Sequence, residues 1–146
     1  MTFVSHQEDA RTAWRLITEL FMMDEVHDRF HEACAAVGLP HPGSLKALLL
    51  LDPDEPPSMR AMAESMHCDA SYITSLVDEL EKLDYVERVV STGDRRVKLI
   101  HLTPTGVTAR EHALDVLATP PTTMKLLTPT DTKSLARILK KLVPQP

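Results

Sequence analysis

Within residues 58–103, SMRAMAESMHCDASYITSLVDELEKLDYVERVVSTGDRRVKLIHLT, the spacing of apolar residues changes once, and that change limits the folds open to the chain. Up to Leu83 they recur at helical steps; from Tyr85 to Leu102 they alternate as in strands. Ser58 is a good N-cap for a helix over about Met59–Met66, and Ala63 is small enough to let a second helix cross it. His67, Cys68 and Asp69 form a turn, with Asp69 capping a longer helix from Ala70 to Leu83. Two strands follow, YVERVVS and VKLIHLT. Between them Thr92-Gly93 marks the turn, and Asp94, Arg95 and Arg96 supply charge. Helix, turn, helix and hairpin in this order can present one helix to the major groove of DNA and one loop to the minor groove.

Placed at 100° per residue, the longer helix divides cleanly. Ile73, Leu76, Val77 and Leu80 share one side and must face a core. Ser71, Ser75, Asp78 and Lys82 lie opposite, flanked by Tyr72, Thr74 and Glu79. The outward face is small and hydroxyl-bearing near its N-terminus and acidic toward its C-terminus. Hydroxyls at a helix N-terminus suit phosphate oxygens and base edges, whereas carboxylates do not. Ser71, Tyr72, Thr74 and Ser75 are therefore the candidate contacts, although Tyr72 serves equally as a core-edge aromatic. Asp84 falls where the helix must end and is expected in or near the left-handed conformation.

The flanks read as helices. One helix is predicted over about Ser5–Val37, with Leu16, Leu20, Met23, His27, Phe30, Cys34 and Val37 in a heptad-like stripe that Trp14, Ile17 and Phe21 widen. So long a helix needs cover along both faces, from its own fold or from a second subunit. Gly38 stops it and Pro40 and Pro42 prevent continuation. A short helix over about Gly43–Leu51 runs into the loop DPDEPP. Thr103-Pro104 starts another helix, to about Ala118, which Thr119-Pro120-Pro121 breaks. Thr128-Pro129-Thr130-Asp131 repeats the device with Asp131 as capping-box partner. Leu135, Ile138, Leu139 and Leu142 then form an amphipathic final helix. The expectation is a single, mainly α domain (α+β) over 1–146, with dimerisation helices at about 5–37 and 104–143 and the helix-turn-helix with its wing at about 43–103.

Charge argues against a simple nucleic-acid reading. The net charge is −5, and a DNA-binding domain usually carries a basic footprint. Divided by segment, residues 1–57 carry −6, residues 58–103 carry −2 and residues 104–146 carry +3. The positive charge within the central stretch is concentrated in Arg88, Arg95, Arg96 and Lys98, opposed over residues 88–98 by Asp94 alone. Two cysteines, Cys34 and Cys68, make no disulfide framework and suggest a reducing cytoplasm. No membrane span or signal peptide is apparent. His27 and His31 are spaced i, i+4, but His27 sits on the apolar stripe, where a hydrogen-bonded core histidine is the commoner case, and no metal is expected. Cys34 reads as a small buried side chain; Cys68, in the turn, is the more exposed thiol. No nucleophile–base set or phosphate-cradling glycine loop points to an enzyme, and no cofactor is expected.

The run ITSLVDELEKLDYVERVVSTGDRRVKLIHLTPTG resembles the MarR family of bacterial transcription regulators. SMRAMAESMHCDASY resembles the start of that family's helix-turn-helix, and LTPTDTKSLARILKKL its C-terminal helix. The resemblance implies a winged-helix homodimer in which N- and C-terminal helices interlock and two reading heads meet double-stranded DNA at half-sites of a palindromic operator. It implies that Ala70–Leu83 is the recognition helix, that Arg96 reaches the minor groove, that Asp94 orients the wing's basic residues, and that Arg95 is a phosphate contact or a second minor-groove probe. It also implies a small amphipathic or aromatic effector between the dimer helices and the winged domain, for which Met22, Met23 and Phe30 are candidate walls, and a repressor that the ligand relieves. Two departures stand out. Many members carry arginines where this chain has Ser75 and Glu79, so base readout is expected to be weaker or different; and Asp84 replaces a usual glycine. The acidic helix face keeps a second reading open, an interaction protein of the same fold with weak or lost specific DNA binding.

Overall fold

The computed structural model describes residues 2–143, with side chains from residue 6 onward. Helices α1 (Thr2–Phe21), α2 (Asp24–Ala36), α3 (Pro42–Leu50), α4 (Met59–Met66) and α5 (Ala70–Lys82) precede an antiparallel pair, β1 (Val86–Val90) and β2 (Lys98–Leu102). Helix α6 (Pro104–Leu117), a 3-10 turn at Thr122–Leu126 and α7 (Pro129–Leu139) complete the chain. The wing is registered Val86 to Leu102 through Val90 to Lys98. Fold class and element order agree with the sequence reading.

The expected helix over Ser5–Val37 is instead two. Met23 adopts extended backbone (φ −67°, ψ 136°) and caps α2, whose first turn holds Asp24 and Glu25. Carboxylates there favour a new helix start because they complement its dipole. Gly38 does stop α2, with φ +67°, and Asp84 has φ +58° as its position requires. Leu142 lies beyond α7, which ends at Leu139.

The core gathers around α5. Ile73, Leu76, Val77 and Leu80 are fully buried against Leu45 and Leu48 of α3, Met62 of α4, and Val86 and Ile100 of the wing. Burying each large aliphatic side chain contributes about 1.5–3 kcal/mol, so this cluster holds the recognition unit as one body. Ala109 and Ala113 of α6 and Ala33, Cys34 and Val37 of α2 extend it. Burial pushes the Cys34 thiol pKa up, leaving it a poor thiolate. Two contacts lock the wing base to the helices: the Tyr85 hydroxyl donates to the Val37 carbonyl at 2.7 Å, and the Thr103 hydroxyl to the Asp84 carbonyl at 2.5 Å. Gly106 lets α6 start against the Tyr85 backbone; a Cβ there would collide with the Tyr85 carbonyl oxygen.

Cover runs out at the two ends of the chain. Trp14, Leu16, Leu20, Phe21 and Met22 are exposed, Trp14 by 68% and Met22 by 78%. So are Leu126, Ile138, Leu139, Leu142 and Val143. The α1 part of the sequence-predicted stripe is therefore uncovered among the described residues, whereas Phe30, Cys34 and Val37 of α2 and its cap pack in or against the core. His27, expected in the core, is exposed and meets His31 edge-on, Nε2 to Nε2 at 3.2 Å. No described helix is long and apolar enough to cross a membrane.

Candidate nucleic-acid interface

Local hydrogen bonding fixes the N-terminus of α5. The Asp69 carboxylate accepts the Ser71 hydroxyl at 2.7 Å and the Tyr72 backbone N–H at 2.8 Å. Those donors, the Ser71 hydroxyl foremost, hold its pKa below the ordinary value. Thr74 donates back to the Ala70 carbonyl at 2.8 Å. Ser71, Tyr72, Thr74 and Ser75 are all exposed, as the angular reading required. Of Ser71, Thr74 and Ser75, Ser75 alone has no hydrogen-bond partner for its hydroxyl among the described residues. The Tyr72 hydroxyl lies over Gly43, where an added Cβ would strike it, so the ring leans on the start of α3 while keeping 43% of its surface.

The carboxylates in the second half of α5 are engaged by neighbouring elements. Glu79 accepts the hydroxyl of Ser44, which is fully buried, and lies 3.5 Å from His41 Nε2. Ser44 and His41 belong to the first turn and cap of α3, so the carboxylate sits at a helix N-terminus, where negative charge is favoured. Asp78 and Glu81 both bind Arg88 of β1: Nη2 meets Asp78 Oδ1 at 2.6 Å, Nη1 donates to Glu81, and the Arg88 backbone N–H also reaches Glu81 Oε1 at 3.2 Å. Nη2 further approaches the Thr74 carbonyl at 3.3 Å. The Arg88 side chain is only 18% exposed. The structure thus separates it from the wing charges with which sequence grouped it; Arg88 joins β1 to α5.

The wing tip keeps its charge. Asp94 folds the loop by accepting the Arg96 backbone N–H at 2.9 Å, while its carbonyl accepts Val97 N–H at 3.0 Å. Ser91 N–H closes the loop on the Val97 carbonyl at 2.8 Å. Asp94 thus orders the turn through backbone rather than by binding guanidinium. The side chains of Arg95, Arg96 and Lys98 are exposed and have no partner among the described residues. Arg60, which sequence reasoning did not single out, comes beside them: with Ser58, Met59, Val97, Arg96 and Lys98 it lines a cavity of about 310 Å³ at the wing base.

Two other hollows bear on function. Phe21, Val26, Phe30 and Leu117 wall a cavity of about 270 Å³, with Glu25, Arg29, Thr119 and Pro121 at its edge. Glu25 is held there by the Thr122 hydroxyl at 2.8 Å and backbone N–H at 2.9 Å, which lower its pKa. Of the three predicted pocket residues Phe30 lines this cavity; Met22 points into solvent and Met23 caps α2. Cys68 lines an open groove between α4 and α5. Among the described residues no three His, Cys, Asp or Glu side chains converge as a metal site.

Comparison with known proteins agrees with this geometry. Residues 42–98 match the MarR family model. The fold is similar to that of MarR from E. coli in its apo form (TM-score 0.72, 21% identity, 89% of this chain and 95% of that one). It is similar also to YusO from Bacillus subtilis (TM-score 0.66, 23% identity, 97% of each chain). A third likeness is to the transcriptional repressor CouR bound to a 23-mer DNA duplex (TM-score 0.61, 25% identity, 80% of this chain and 83% of that one). No curated protein matches the chain by sequence. With a family match spanning α3 to the start of β2, and the winged-helix fold around it, the chain is similar to the MarR family of regulators.

Proposed function

We propose that this protein is a homodimeric, sequence-specific DNA-binding repressor whose operator is palindromic and whose grip is released by a small amphipathic ligand. The observation that carries the reading is the wing: Arg95, Arg96 and Lys98 are free and exposed beside a capped helix with a hydroxyl-bearing outer face. Free guanidinium groups on a narrow loop suit the negative potential of a minor groove, and α5 suits the adjoining major groove. The uncovered apolar residues of α1 and α7 supply the surface on which a second copy docks. Two heads so fixed would meet half-sites about one helical turn apart. The cavity lined by Phe21, Val26, Phe30 and Leu117 lies between the end of α1, α2 and the end of α6, and an aromatic acid fits its apolar walls and Arg29. Ligand there alters the spacing of the heads, so a rigid palindrome no longer matches both.

The test is a salt titration of binding to a duplex carrying the protein's own upstream sequence. Arg96→Ala is expected to weaken binding and lower the slope of log K against log salt by about one unit. An unchanged slope sinks the wing assignment. No complex even at low salt favours an interaction protein that has lost its DNA. Benzoate added to the formed complex is the first probe of the ligand arm, and release of DNA is the expected outcome.

A further inference from the structure

We propose that Arg60, Arg96 and Lys98 form a single anion seat at the base of the wing, and that its occupant is a DNA backbone phosphate. This rests on the DNA-binding reading and adds to it Arg60, a residue outside both the recognition helix and the wing.

The seat follows from how the chain is tied together. The Pro57 carbonyl accepts the Ile100 N–H at 2.8 Å, and Ser58 pairs with Leu99 as a one-residue extension of the sheet. The segment before α4 is therefore bridged to β2 at one residue, and α4 begins beside the wing. Ser58 caps that helix by accepting Ala61 N–H at 3.1 Å. Arg60 stands in its first turn, directed to the hollow that Arg96 and Lys98 enter from β2 and the loop before it. All three cations line one cavity of about 310 Å³, and no carboxylate lines it.

Nothing in the fold needs this charge. Arg60 has one partner, Glu64 at 3.0 Å one turn along, and both side chains are largely exposed, 89% and 67%. Such surface pairs contribute little and exchange readily for a better anion. Arg96 and Lys98 have no side-chain partner among the described residues. Arg88, by contrast, is held by Asp78 and Glu81. Three cations gathered around a hollow that no carboxylate lines, with Arg60 held only by an exposed surface pair, suit an anion from outside the chain. A phosphodiester matches in charge, and guanidinium binds it in a bidentate fork. The seat lies between the wing and the N-terminus of α4, so it would clamp the strand along which the wing leaves the groove.

The experiment measures binding of wild type, Arg60→Ala and Arg60→Lys to a duplex of the upstream region and to an unrelated duplex of equal length, across salt. Thermal melting of each variant verifies folding. Arg60→Ala is expected to lower the salt slope by about one unit on both duplexes and to weaken both by a similar factor, because a phosphate contact carries no sequence information. Arg60→Lys is expected to keep the slope. The proposal is overturned if wild type binds but Arg60→Ala, folded, shows the same slope and affinity, or if the loss is confined to the upstream duplex, which marks a base contact. Absence of binding by wild type at low salt overturns the DNA reading itself, and the seat with it.

Discussion

Arg88 offers the sharpest separation between charge that binds DNA and charge that builds the fold. Its guanidinium is shared by Asp78, Glu81 and the Thr74 carbonyl, and its side chain is 18% exposed. A hydrogen bond to a charged group contributes about 1.5–3 kcal/mol net, and stripping one partner from a buried pair costs more. Here the partners are not buried: Asp78 is 50% and Glu81 33% exposed, so water recovers much of their solvation when the arginine is removed. Arg88→Ala should therefore cost about 2 kcal/mol. With an unfolding entropy of about 2.1 cal/mol/K per residue, that corresponds to a fall of about 6–7 °C in Tm. Melting must be compared at one protein concentration, because assembly couples to stability. A double-mutant cycle with Glu81→Ala should return a coupling of about 1 kcal/mol. The DNA salt slope should not move. A variant that melts within a degree of wild type while its slope drops by a unit would refute the reasoning and return Arg88 to the DNA surface.

Other consequences are equally direct. Gly106→Ala should destabilise by about 3 kcal/mol, since the new Cβ strikes a backbone carbonyl that already accepts Thr103 N–H at 3.0 Å; chemical denaturation reads this as a lower midpoint with unchanged m. Leu76→Ala, at the fully buried centre of α5, should cost about 2–5 kcal/mol by the same measurement. If the protein is the proposed homodimer, Leu20→Glu, which places a charge on the uncovered face of α1, should shift sedimentation from dimer to monomer; a variant that sediments as a dimer like wild type rules out α1 as the dimer face. Asp69 has a folded pKa below its ordinary 3.8, so its contribution is present above that pH and lost as pH falls through the lower folded value. Asp69→Asn should flatten the acid limb of the stability curve below about pH 4, and an unaltered limb would show that the cap does not drive it.

The helical periods, the caps at Ser58, Asp69, Thr103 and Thr128, and the left-handed Asp84 were legible because each depends on residues within one turn of one another. What escaped were features decided across the fold. The break at Met23 depends on a competition between one long stripe and a fresh helix start at Asp24-Glu25, and apolar spacing scores only the first. Arg88 looked like wing charge because its acceptors lie ten and seven residues back, on another element. Arg60 was hidden because the Pro57–Ile100 and Ser58–Leu99 pairings that bring α4 to the wing span more than forty residues. His27 took its predicted burial from a stripe that the core covers only in part.

The acidic outer half of α5 had supported a second reading, a chain of this fold that no longer meets DNA. Side-chain geometry removes part of that support. Of the three carboxylates between residues 78 and 81, Glu79 is taken up by Ser44 and His41 at the start of α3, and Asp78 and Glu81 by Arg88. Arg88 offsets one of the two charges it binds and the α3 N-terminus part of the third, so their repulsion toward a phosphate is reduced rather than removed. What α5 offers outward is Ser71, Tyr72, Thr74 and Ser75, with the Ser75 hydroxyl uncommitted. The residues that replace the family's arginines therefore do different work: Glu79 fixes the helix to the body, and Ser75 leaves room for a base edge or a bridging water. On the proposed DNA-binding reading, discrimination by such a face is modest, and affinity comes mainly from Arg95, Arg96, Lys98 and Arg60. The expected signature is a steep salt dependence combined with a small ratio between operator and unrelated DNA. A large ratio at a shallow slope would mean that α5 reads bases through contacts that this geometry does not offer.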